Sequence, residues 1–133
     1  MKLITRDTDY ALRAVCYIAK TKNKLVTASE LVDKLEIPRP FLRKILQTLS
    51  KAGILRSSKG KNGGFVLIVP PKKIMLMDLI NIFQGVIKLN ECFFKKELCP
   101  KKDECSLRKI ISGLEKDMFN KLKKISLFTL IKG

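Results

Sequence analysis

The sequence predicts a mainly α-helical fold with one small β-hairpin, and three observations predict it. Apolar residues recur at three- and four-residue spacing in several separate segments of the 133-residue chain, the period of helices buried on one side. Two apolar stretches too short for helices, Ile54-Leu55 and Phe65-Val66-Leu67-Ile68-Val69, flank a glycine- and lysine-rich segment, as a hairpin requires. A longer helical stripe closes the chain, beyond a polar segment with no period.

The first helix is predicted over residues 8–20, where Ala11, Val15, Ile18 and Ala19 fall at helical spacing and Leu12 and Ala14 widen the stripe. Thr27-Ala28-Ser29-Glu30 reads as a capping box: the Thr27 hydroxyl accepts from an amide of the first turn while Glu30 reaches back to the cap. A short second helix follows and ends near Leu35. Ile37-Pro38 breaks the pattern. A third helix then starts at about Arg39, turns Leu42, Ile45, Leu46 and Leu49 inward, and is stopped by Gly53. Two short helices joined by a tight turn make a helix-turn-helix unit. Ser57-Ser58-Lys59-Gly60-Lys61-Asn62-Gly63-Gly64 is the tip of the hairpin, Pro70-Pro71 closes its second strand, and a fourth helix runs from about Met77 to Gln84 and ends at Gly85.

The expected organisation is therefore a winged helix-turn-helix domain at 1–85, a cysteine-bearing loop at 86–105, and a dimerisation helix with a C-terminal tail at 106–133. That last helix carries Leu107, Ile110, Ile111, Leu114, Met118, Leu122 and Ile125, a stripe about five turns or ~28 Å long. Such a face does not stand alone in water, and pairing with its twin would bury it and set two helix-turn-helix units side by side. Packing against its own domain is the alternative use of the stripe.

Charge narrows the partner. The formal net charge of +16, from 28 Lys+Arg against 12 Asp+Glu, exceeds what solubility needs and implies attraction to a polyanion, nucleic acid first and an anionic membrane second. No apolar run approaches the ~18 residues of a membrane span, no aromatic-rich amphipathic helix marks a membrane surface, and Met1-Lys2-Leu3-Ile4-Thr5-Arg6 has no signal-peptide core. A cytoplasmic protein is expected, and there four cysteines point to metal ligation or redox chemistry rather than disulfides.

No acidic residue falls between Glu36 and Asp78, while Arg39, Arg43, Lys44, Lys51, Arg56, Lys59, Lys61, Lys72 and Lys73 all do. The second helix of such a unit enters the major groove by its N-terminal part, so Arg39, Phe41, Arg43 and Lys44 are best placed to meet base edges and phosphates, with Pro40 suited to the first turn. Thr27, Ala28 and Ser29 open the preceding helix, whose free amides can hold a phosphate. Gly60, Gly63 and Gly64 would let the hairpin tip lie against a sugar-phosphate backbone, and Lys59 and Lys61 would supply charge there or reach into the minor groove. The bland alternative is a solvated helix face and an ordinary turn. Capping box, basic helix and basic hairpin in succession favour double-stranded DNA.

Thr8-Asp9-Tyr10-Ala11-Leu12-Arg13, Leu42-Arg43-Lys44-Ile45-Leu46-Gln47-Thr48-Leu49 and Ala52-Gly53-Ile54-Leu55-Arg56-Ser57, with Gly60 and Gly63-Gly64-Phe65, resemble the Rrf2 family of winged-helix transcription regulators. The cysteine loop and the long last helix fall where that family has them, so the resemblance covers essentially the whole chain. It implies a homodimer paired through the last helix, a recognition helix at 39–51 and a wing at 57–65. The family includes the iron-sulfur cluster regulator, a nitric-oxide-sensing repressor, iron-responsive repressors and a cysteine-metabolism repressor without a cluster.

Cys92, Cys99 and Cys105 lie within fourteen residues, separated by six and five, and three thiolates on one loop can wrap an iron-sulfur cluster. Neighbouring lysines lower thiol pKa values and favour ligation. Pro100 after Cys99 echoes the Cys-Pro of ferredoxin-type ligand runs. The family commonly has five residues in both intervals, so the first gap is one longer here. With no histidine in the chain, a three-Cys-one-His site is excluded. The nitric-oxide-sensing branch uses an aspartate of the partner subunit near its N-terminus, and the matching position is Asp9. An acid in the first turn of a helix also has a purely electrostatic use, and Glu91, Glu97, Asp103 and Glu104 compete as carboxylates within the loop. Zinc and metal-free redox thiols are rivals for the cysteines, and the ligand count separates neither a 2Fe-2S from a 4Fe-4S cluster. Cys16, on the first helix beside Val15, reads as a buried small apolar residue.

The expected function is a DNA-binding transcription regulator, a repressor, that senses iron-sulfur status, redox state or nitric oxide through its cluster. The alternatives are a cluster-free regulator answering a metabolite or protein partner, and an iron-sulfur carrier whose basic surface docks an acidic protein. An enzyme is not expected, because there is neither a histidine nor a paired acid-base constellation.

Overall fold

The computed structural model describes residues 3–22, 24–60, 63–85 and 106–132. The first helix, α1, spans Arg6–Lys20, two residues longer than the apolar stripe implies. Its cap is Thr5, whose hydroxyl accepts from the Thr8 amide at 3.4 Å, so the opening turn is polar and carries Asp7 and Asp9. Its inner face buries Ala11, Ala14, Val15 and Ile18. Thr8 is buried as well, its hydroxyl 3.1 Å from that of Thr5.

The second helix, α2, spans Ala28–Leu35 and is capped by the Thr27 hydroxyl, which accepts from the Glu30 amide at 3.1 Å. Only this half of the expected capping box forms. The Glu30 carboxylate instead accepts from the Tyr17 hydroxyl at 2.7 Å, because α1 packs alongside and offers a donor that ties the two helices together. The third helix, α3, runs Arg39–Lys51 as predicted, with Pro40 in its first turn and Leu42, Ile45, Leu46 and Leu49 buried. Gly53 ends it at φ 81. Its amide donates to the Ser50 carbonyl and the Ile54 amide to the Leu49 carbonyl, both at 3.1 Å, the paired-bond stop that favours glycine.

Strands β1 (Leu55–Ser58) and β2 (Gly64–Leu67) pair antiparallel with Leu55 opposite Leu67 and Ser58 opposite Gly64. β2 stops two residues short of Val69, although the Ile68 amide still donates to the Ile54 carbonyl at 3.0 Å, and a single 3-10 turn follows at Pro71–Lys73. Its other edge is covered by Val26, which exchanges both backbone bonds with Phe65 at 2.9 and 2.7 Å. The segment before α2 thus locks the hairpin to the helices, a pairing the sequence reading missed.

Helix α4 spans Leu76–Gln84, with the Asp78 carboxylate accepting from the Met75 amide at 3.0 Å and Gly85 at φ 76 closing it. Gln84 holds the start of the chain, accepting from the Thr5 amide at 2.9 Å and donating to the Leu3 carbonyl at 3.1 Å. Helix α5, Ser106–Leu122, ends before Ile125, and a sixth helix, α6, follows at Leu127–Lys132. The expected continuous stripe is broken because the chain pairs with the segment ahead of α4: the Leu76 amide donates to the Ile125 carbonyl at 2.9 Å and the Leu127 amide to the Ile74 carbonyl at 2.7 Å. Leu127 enters the main core, while Leu122, with Met118 and Phe119, packs on Leu76 and Ile80.

Candidate nucleic-acid interface

Burial of one α3 face dictates what the other presents. With Leu42, Ile45, Leu46 and Leu49 inside, Arg39, Arg43, Gln47 and Lys51 are exposed, and their four-residue spacing aligns them along one side of the helix. All four line an open groove of about 780 Å³ between α3 and the hairpin, whose other walls include Ala28, Ser57, Ser58, Lys59 and Phe65. None of these lining residues is acidic. Among the described residues no side-chain partner engages Arg43, Lys44 or Gln47, so their donors face solvent.

Arg39 and Ser29, both predicted site residues, are brought together: the guanidinium donates to the Ser29 hydroxyl at 3.1 Å. This fixes the start of α3 against the first turn of α2, where the Ala28 and Ser29 amides precede any intrahelical bond. Phe41 is 37% exposed and has the Arg6 guanidinium 4.2 Å from its ring centroid. Arg6 therefore joins the edge of this surface. It lies thirty-five positions before Phe41 in the chain, and no sequence signal marks the pair.

The glycines of the hairpin have causes inside the protein. Gly60 adopts φ 107 with open space around it, a conformation that side chains resist. A Cβ on Gly63 would collide with the Ser58 carbonyl and stand 2.9 Å from that of Gly60, and one on Gly64 would stand 2.7 Å from the Val26 carbonyl. Gly64 is buried, so its smallness serves the Val26 pairing rather than the approach of an outside backbone. Lys59 is exposed at the mouth of the groove. Lys61 lies outside the described residues.

Cys92, Cys99 and Cys105 also lie outside the described residues, and among the described ones no three metal-ligating side chains come together. Asp9 is in the opening turn of α1, its side chain 43% exposed, with Oδ2 paired to Arg13 at 3.0 Å. Its Oδ1 has no partner among the described residues. The carboxylate borders a hollow of about 660 Å³ with Ile4, Thr5, Arg6, Tyr10 and Arg13. Cys16 packs against the main core, and burial pushes its thiol up, only partly offset by Lys20, which keeps it protonated and unreactive. No described helix is long and apolar enough to cross a membrane.

Residues 4–133 match the model of the Rrf2 family, described as an iron-dependent transcriptional regulator. The chain is 32% identical over 131 residues to protein aau3 of Rhizobium meliloti, a match covering 98% of this chain and 85% of that one. It is 32% identical over 114 residues to the HTH-type transcriptional regulator NsrR of Bacillus licheniformis, covering 84% and 79%. The solved structure of CymR, the global cysteine regulator of B. subtilis, superimposes with a TM-score of 0.74 at 21% identity over 99% of this chain and 98% of that one, which shows a shared fold.

Proposed function

The chain belongs to the Rrf2 family of transcriptional regulators, and from that premise we propose that it is a homodimeric repressor that senses iron-sulfur status, redox state or nitric oxide through a cluster held by Cys92, Cys99 and Cys105. The family regulates transcription by binding DNA and is not enzymatic. The observation that carries the reading for this chain is the α3 stripe of Arg39, Arg43, Gln47 and Lys51 facing a groove without an acid.

Thr27, Ala28 and Ser29 at the start of α2, Arg39, Pro40, Phe41, Arg43 and Lys44 on α3, and Lys59, Gly60, Lys61 and Gly63 on the hairpin are the proposed contacts to a double-stranded operator. The α2 amides and the lysines take phosphates, and the α3 side chains take base edges. Dimerisation is assigned to α5. Leu107, Ile110 and Leu114 are 62%, 61% and 52% exposed and recur at three- and four-residue spacing, so a second copy of the helix can bury what this domain leaves open.

For the cofactor, the donor set fits. The three cysteines supply thiolates, and the Asp9 carboxylate of a partner subunit retains one oxygen beyond its Arg13 pair. Bound there, a 2Fe-2S or 4Fe-4S cluster supplies a centre that oxidants and nitric oxide attack. Asp9 and Arg13 stand on the same helix as Arg6, whose cation covers Phe41 on α3, so a change at the N-terminal end of α1 has a short contact route to the DNA-reading helix. The differential affinity needed to switch occupancy is a few kcal/mol.

The test is anaerobic purification followed by visible absorption and assay of iron, sulfide and zinc per chain. Iron and sulfide in equal amounts, with charge-transfer bands that bleach in Cys92→Ala, are expected. A colourless protein that stays metal-free after reconstitution refutes the cluster while leaving the regulator intact, and zinc without sulfide replaces it with a different metal.

A further inference from the structure

The proposed DNA contacts concentrate on the N-terminal half of α3, yet the groove extends to the other end of the helix. Gln47 and Lys51 continue the line of Arg39 and Arg43, and Ser57 and Ser58 face them from β1. A helix seated in the major groove and a hairpin reaching the minor groove must straddle the strand that separates the two grooves. The space between α3 and β1 is therefore where one sugar-phosphate strand passes.

We propose that Gln47 reads the edge of an adenine in the major groove, while the Lys51 ammonium and the Ser57 and Ser58 hydroxyls grip the backbone strand between α3 and the hairpin. This rests on the DNA-binding reading and deepens it by naming a base.

Chemistry separates the roles. Among the described residues Gln47 carries the only side-chain amide lining the groove, and an amide offers one acceptor and one donor side by side, which matches the N6 amino group and N7 of adenine. Lysine and serine suit phosphate oxygens, which carry no sequence information. Gln47 is exposed and has no described side-chain partner to release first. Position adds a constraint, because four residues of helix advance about 6 Å and stacked bases repeat at about 3.4 Å. The adenine then lies about two base steps from whatever pair Arg43 meets.

The experiment is selection of full-length wild-type, Gln47→Ala and Lys51→Ala protein on a randomised duplex library, with affinity for the wild-type consensus measured against salt. The wild-type motif should contain a symmetry-related A·T pair in each half-site. Gln47→Ala should lose the preference at that pair alone, bind the consensus about tenfold more weakly per half-site and so about a hundredfold for the dimer, and keep the wild-type salt slope. Lys51→Ala should select the wild-type motif, bind all sequences more weakly and show a slope shallower by about one per chain. If Gln47→Ala, folded by circular dichroism, selects the wild-type motif unchanged, the assignment of Gln47 is wrong and the DNA-binding reading survives. If wild type enriches no motif at all, sequence reading by this surface falls altogether.

Discussion

A methyl group added at Gly64 would stand 2.7 Å from the Val26 carbonyl oxygen, closer than a carbon and a backbone oxygen tolerate, and both belong to backbone held by two mutual hydrogen bonds. Gly64→Ala should therefore destabilise the domain by about 2 kcal/mol, the range of core overpacking, read as a lowered urea midpoint. Ser50 gives the opposite sign. Its hydroxyl is shut off from solvent with no partner among the described residues, and serine is also the poorer helix former, so Ser50→Ala should raise stability by about 1 kcal/mol in the same assay. Neither outcome is written in the local sequence. Gly60-Lys61-Asn62-Gly63-Gly64 announces a hairpin tip, but which glycine is needed for its φ and which for lack of a side chain depends on Ser58 and on Val26, thirty-eight residues before Gly64. The Glu30 carboxylate turned to Tyr17 for the same reason: local spacing offers a capping partner, and packing offers a nearer one.

At the scale of elements, periodicity located the helices because burial of one face imposes it, and α3 matches its predicted span since Pro38 and Gly53 mark both ends. Where an end is set by pairing with a distant segment, as after Leu122, the sequence was silent. The stripe from Leu107 to Ile125 keeps its period through Leu122, yet Leu107 to Leu114 face outward while Leu122 is buried, and the break after Leu122 is imposed by backbone pairing with residues 74–76. Period says that a face is apolar and not what it meets. The short α6 that results is a working part of the core, since Leu127 is 1% exposed among the residues of the main cluster. Leu127→Ala should cost about 3 kcal/mol, the usual range for a truncated core leucine. A loss under about 0.5 kcal/mol in urea unfolding would show that α6 merely rests on the surface.

For the whole molecule the decisive quantity is how many basic faces act together. A single domain presents one α3 and one hairpin, and the net charge of +16 repels a second copy unless apolar contact outweighs it, as Leu107, Ile110 and Leu114 on α5 are placed to do. Replacing Ile110 by Glu puts a charge in the middle of that stripe without touching the core, since Ile110 is 61% exposed. The variant should sediment as a monomer and keep its unfolding transition apart from any concentration dependence. With about eight phosphate contacts per dimer, the log-log slope of affinity against salt should be near -7 for wild type and about half that for Ile110→Glu. Affinity for a full operator should drop steeply while affinity for an isolated half-site changes little, because the linked second domain is lost and the reading surface is not. A dimeric Ile110→Glu protein with the wild-type slope would move the pairing surface away from α5, and the α3 groove would then have to be doubled by some other face of the chain.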